Sequence, residues 1–160
     1  MSTQEILALV FNTVMAAVFL FAIVRGGRPE RLGVLINLVG FGATTAFRLL
    51  FGAIAWAPGD VATMTIDLAV GGGFFWLGVT TIRFWPIWAA GFVLADLFMS
   101  LFGRLLPNIH LFAYHTGLGI YAYLALGALA LGTFRLPRGA EPHIRHGSRK
   151  LWLQHLKETS

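Results

Sequence analysis

Apolar residues run through this chain in five long blocks, at 6–24, 33–56, 61–82, 86–105 and 109–134, and polar residues gather in the gaps and the tail. A helix needs about 20 residues to cross roughly 30 Å of hydrocarbon, so each block predicts a transmembrane α-helix. The gaps read as turns: residues 25–32, Ala57-Pro58-Gly59-Asp60, Arg83-Phe84-Trp85 and Leu106-Pro107-Asn108. Proline and glycine break the helical pattern in most of them. The third block is the least regular, because it contains Asp67 and the run Gly71-Gly72-Gly73. A break at that run would have to face protein or water. An unbroken helix would use the small residues for close packing. The expected fold is therefore all-α, an integral membrane bundle of five transmembrane helices over 1–134 followed by a basic tail over 135–160.

Composition supports the membrane reading. Hydrophobic residues make up 57% of the 160 and charged residues 12%, about half the charged share of an ordinary soluble domain. One compact membrane domain uses up the chain. Cysteine is absent, which excludes disulfides, thiolate metal sites and thiol catalysis. The net charge of +5 does not point to nucleic acid, because its distribution is one-sided. With the N-terminus outside, ten of the twelve Lys and Arg fall in the inner loops and tail, Arg104 falls outside and Arg48 lies within the membrane. That is the positive-inside pattern, and it places the C-terminus in the cytoplasm. Trp56, Trp85 and Trp88 are expected near the interfaces, where amphipathic rings settle. The start Met-Ser-Thr-Gln-Glu has no basic residue and leads into a run long enough to span, so a first helix is expected rather than a cleaved leader.

Four charged or titratable residues interrupt the apolar blocks. Arg48 lies about eight residues, roughly 12 Å, below the outer end of the second span. Asp67, Asp96 and His115 fall at similar depth on the third, fourth and fifth. At 100° per residue, Asn37, Gly40, Thr44 and Arg48 share one stripe. So do Thr63, Asp67, Gly71 and Gly78; Ala89, Asp96, Ser100 and Gly103; and His115, Gly119 and Ala122. Small and polar stripes turn away from lipid. A charge at this depth costs about 2.5 kcal/mol or more unless it is paired. Arg48 with Asp67 or Asp96 is the simplest pair, leaving the other acid near His115. Such pairs either fix helix packing or form a ligand or proton site of Arg48, Asp67, Asp96, His115, Asn37, Thr44 and Ser100.

Other chemistries fit less well. His110 and His115 stand about 140° apart on a helix, which does not suit one metal ion or haem. Ser100 and Asp96 share a helix face, whereas a hydrolytic triad sets them on opposite sides of its histidine. No metal site or catalytic set is expected from the residues, and any cofactor is left open.

The tail carries six Lys or Arg and three His. Its first part is loop-like, with Pro137, Gly139 and Pro142. From Ser148 onward, Leu151, Trp152, Leu153 and Leu156 alternate with basic residues, which predicts a short amphipathic helix on the inner membrane face. Arg145, Arg149, Lys150, Trp152 and Lys157 would meet the surface, each basic residue contributing about 1 kcal/mol against anionic headgroups. A solvated tail and a segment that docks a cytoplasmic partner fit the same pattern.

Three segments resemble a known family: Arg28-Pro29-Glu30-Arg31, Asp67-Leu68, and Arg83-Phe84-Trp85-Pro86-Ile87-Trp88-Ala89-Ala90-Gly91-Phe92. Across residues 28–135 the chain is similar to small, uncharacterised bacterial inner-membrane proteins in which an Asp-Leu span precedes an Arg-Phe-Trp-Pro-x-Trp-Ala-Ala-Gly-Phe segment. The resemblance implies a bacterial inner membrane and a five-span bundle, and no activity. This chain departs from those relatives in carrying Ser100 where they have histidine. In length and span number it also resembles the tryptophan-rich sensory/translocator family, but lacks that family's Pro- and Trp-rich signature.

The function expected is that of a non-enzymatic membrane protein, an accessory subunit or interaction module. Its partners would be a bilayer with anionic headgroups and a membrane protein or second copy of itself. The alternative is a small-ligand or proton-coupled transporter or binding protein using the polar cluster.

Overall fold

In the computed structural model the described backbone covers residues 3–51, 61–105 and 111–159, and the described side chains cover 5–47, 49–51, 61–102 and 120–158. The described residues form seven helices: α1 Thr3–Arg25, α2 Arg28–Phe51, α3 Val61–Thr80, α4 Trp85–Leu105, α5 Leu111–Phe134, α6 Pro142–His146 and α7 Arg149–Thr159. Four contain stretches long and apolar enough to cross a membrane: Glu5–Arg25, Arg28–Phe51, Val61–Thr80 and Trp85–Phe102. The described part of α5 adds a shorter apolar stretch, Ile120–Phe134. Their outward faces are apolar: Val24 is 70% exposed, Leu50 78% and Leu49 81%. In water such surface would have to be covered by another protein; in a bilayer it is the lipid-facing side.

The helices α1 to α5 form a ring in which each packs on the next, α5 returns to α1, and α2 also reaches α5. The buried core joins Phe19 and Ala22 of α1, Val34 of α2, Phe74 and Leu77 of α3, Trp85, Ala89 and Ala90 of α4, and Leu126, Ala128 and Leu129 of α5. In sequence these lie at the C-terminal halves of α1, α3 and α5 and the N-terminal halves of α2 and α4. The close packing therefore sits at one end of the ring, where the α1–α2 and α3–α4 turns lie.

Small residues let the helices close up. A Cβ added at Gly33 or Gly132 would run into the Trp85 ring. One at Gly71 would meet Val93 Cγ1 at 3.2 Å, one at Gly78 would strike Ile87, and one at Gly40 would come within 2.5 Å of Val70 Cγ2. The stripes holding Gly40 on α2 and Gly71 and Gly78 on α3 do turn inward.

Two details differ from the sequence reading, and one that it left open is resolved. The first gap shrinks to Gly26 and Gly27, because α2 starts five residues early. Gly27 takes the N-cap place, Pro29 sits in the first turn, and the third helical residue, Glu30, reaches back to accept the Gly27 N–H at 2.8 Å. That is one arm of a capping box, and it extends the helix through residues that read as a turn. α3 runs unbroken through Gly71-Gly72-Gly73. Trp85, expected near an interface, is instead fully buried, edge-on to Phe74 with ring centroids 5.9 Å apart.

Candidate functional site

Two polar sites emerge, at opposite ends of the ring. The one foreseen from sequence is only partly assembled by the described residues. Asp67 on α3 and Asp96 on α4 are half-buried. Asp96 Oδ1 is buried and has no hydrogen-bond partner among the described residues. Asn37 is turned to its own helix, donating from Nδ2 to the Gly33 carbonyl at 3.0 Å. Thr44 and Ser100 are half-buried. Arg48 lies on α2 and His115 on α5, and the side chains of both fall outside the described residues. The expected pairing of Arg48 with an acid therefore does too.

The second site was not foreseen. It is built on Glu30, whose side chain is 0% exposed. The carboxylate is ringed by donors: Gly27 N–H on Oε2 at 2.8 Å, Trp85 Nε1–H on Oε1 at 3.2 Å, and Arg83 Nε beside Oε1 at 3.2 Å. The Arg83 Nε contact is an ion pair without hydrogen-bond alignment. A buried carboxylate is tolerable only when paired and hydrogen-bonded in this way. Glu30 thus ties the start of α2 to the turn before α4.

Arg83 carries the network on to the tail. Its Nη2 donates to the Ile144 carbonyl at 2.9 Å. Ile82 N–H donates to the Gly147 carbonyl at 3.0 Å, and Thr81 bridges to Ser148. From the other side, Arg28 Nη1 donates to His146 Nε2 at 2.7 Å. Gly147 makes the turn possible: its φ of 66° is left-handed, and a Cβ there would come within 2.5 Å of Pro29 Cγ. Residues 144–148 are therefore clamped between the two turns.

Around this latch the surface is basic and apolar. An open cleft of about 490 Å³ is lined by Gly26, Gly27, Arg28, Arg31, Leu35 and Arg145. A second, of about 320 Å³, lies between Thr81, Arg83 and Phe84 and the α7 residues Arg149, Trp152 and Leu153. Of the residues expected at the membrane surface, Arg145, Arg149, Lys150, Trp152 and Lys157 are all exposed.

The sequence carried a signal for the latch. Arg28-Pro29-Glu30 and Arg83-Phe84-Trp85 are the segments that meet at Glu30. Gly-Arg-Pro-Glu is readable as a helix start with glutamate in the third position. The partners of that glutamate come from 53 and 55 residues downstream, and no local pattern encodes them. No family model, curated protein or solved structure matches the chain.

Proposed function

We propose that this chain is a five-span protein of a bacterial inner membrane, N-terminus outside and tail in the cytoplasm, and that it serves as a non-enzymatic interaction module or accessory subunit. The observation that carries this reading is the latched tail. Residues 144–148 are fixed to the bundle end by Glu30, Arg83 and Arg28, while α7 leaves Leu151, Trp152, Leu153 and Leu156 between 37% and 49% exposed. A tail held rigidly by a buried ion pair yet apolar on its surface presents an interface; it does not build a reaction centre. The one-sided arginines support the orientation, and the latch sets the tail at the same end as Arg25, Arg28, Arg31 and Arg83. The cleft of Arg28, Arg31 and Arg145 beside Leu35 suits an anionic phospholipid, headgroup to guanidinium and acyl chain to leucine.

Native mass spectrometry of the protein extracted from its own membrane in mild detergent tests the proposal. A second protein bound in fixed stoichiometry, and lost when residues 149–160 are deleted, is the expected result. A lone protomer carrying a small bound mass would overturn it.

One observation favours a second reading, a small-ligand or proton-coupled carrier: Asp96 Oδ1 is buried in a spanning helix with no hydrogen-bond partner among the described residues. On that reading, Asp96→Asn in proteoliposomes abolishes pH-gradient-driven proton flux. Flux equal to wild type, or none in the wild type, rejects it.

A further inference from the structure

The tail folds back on itself and brings together three groups that the latch does not use. Glu141 is the N-cap of α6, His143 lies in the first turn of α6, and His155 lies on α7, twelve residues further on. The left-handed Gly147 reverses the chain between the two helices. Glu141 Oε2 stands 3.2 Å from His143 Nδ1. The His143 and His155 rings stack with centroids 4.2 Å apart and planes 25° from parallel. One ligand atom from each of the three residues lies within 4.8 Å of the other two. Glu141 is exposed and both histidines are half-buried, so the group is open to solvent.

We propose that Glu141, His143 and His155 bind a divalent transition-metal cation, with zinc the best match. Two imidazole nitrogens and one carboxylate oxygen are a donor set for zinc; magnesium and calcium prefer all-oxygen shells. Around a tetrahedral zinc with bonds of about 2.0–2.2 Å, neighbouring ligand atoms stand roughly 3.3 Å apart. The Glu141–His143 contact is already at that spacing. The widest separation must close by about 1.5 Å, and the two stacked rings must turn out of parallel so that their in-plane lone pairs converge on one ion; both movements are side-chain rotations at a solvent-facing site. Water takes the fourth position. Adjacent residues of one turn could place an acid beside a histidine for local reasons, but His155 arrives from a separate helix. A metal here therefore bridges α6 to α7 and decides how firmly α7, with its exposed Trp152 and Leu153, is held against the latched segment. The site stands independently of the subunit reading: it requires only the fold of the tail.

The test uses the full chain in detergent, purified through a tag without histidines and stripped with a chelator. Calorimetric titration with zinc chloride is expected to show one ion per chain. His143→Ala, His155→Ala and Glu141→Gln should each weaken binding about tenfold or more, the scale on which even outer-shell losses act. His146→Ala, in the same turn but paired with Arg28, should bind as wild type. Circular dichroism checks that each variant keeps its helix content; Glu141→Gln, isosteric and exposed, retains the fold even if a histidine variant does not. Saturating zinc should also slow tryptic cleavage after Arg149 and Lys150 in wild type and not in His155→Ala. No saturable binding by wild type, undiminished binding by the His143 and His155 variants, or equal weakening by His146→Ala would overturn the site. Binding without protection from trypsin would overturn the bridge.

Discussion

Glu30 is the residue on which most depends. It is charged, fully buried, and shared by three donors from two turns. Removing one member of a buried ion pair strands the other, at about 3–5 kcal/mol. Glu30→Ala should therefore destabilise the protein by about 3 kcal/mol or more, read as earlier thermal unfolding in detergent. In a double-mutant cycle, Glu30→Met with Arg83→Met should cost less than the two single changes summed, because no lone charge remains. Additive costs would mean that Arg83 and Glu30 do not act as a pair. Trp85 gives a second test. Gly132→Val would push its side chain into the indole ring, and overpacking of this kind costs about 1–3 kcal/mol. These residues mark the limit of sequence reading. Arg83 was legible as a topogenic charge and Trp85 as an interfacial ring, because both are flanked by helix breaks. Their true partner sits in a different turn: Trp85 joins the core and Arg83 lies partly buried beside Glu30.

At the scale of elements, the apolar blocks and the helices largely coincide, because block length and helix-breaking residues are local properties. α3 was legible even across its three glycines: in an apolar surround, the backbone's need for internal hydrogen bonds outweighs glycine's conformational freedom. The start of α2 was not, because Arg28, Pro29, Glu30 and Arg31 look like loop by composition and become helix by capping. The tail helix was legible from the alternation of Leu and Trp with basic residues, but its docking was not. That docking turns on Gly147. A non-glycine residue in the left-handed region costs about 1–2 kcal/mol, and a Cβ at 147 also crowds Pro29. Gly147→Ala should release residues 144–148 from the bundle end roughly ten times more often, measured as faster tryptic cleavage at Arg149 and Lys150 with the helical circular dichroism of α1 to α5 unchanged. Cleavage at the wild-type rate would mean that the turn does not hold the tail.

At the scale of the whole molecule, the described core is gathered at one end of the ring, together with both short turns and the tail. The stripes foreseen on α3 and α4 leave Asp67 and Asp96 half-buried, which is as far as helical periodicity reaches. Periodicity assigns faces within a helix; it does not say which end of a bundle carries the tight, polar-latched packing. In the proposed orientation the latched end and the tail face the cytoplasm and the N-terminus faces out. Because the chain has no cysteine, single cysteines report position cleanly. Ser2→Cys and Ser160→Cys would be labelled in intact cells with a membrane-impermeant maleimide, before and after permeabilisation. Labelling of residue 2 in intact cells, and of residue 160 only after permeabilisation, is the expected result. Labelling of both from the same side, or of residue 160 alone in intact cells, would contradict it.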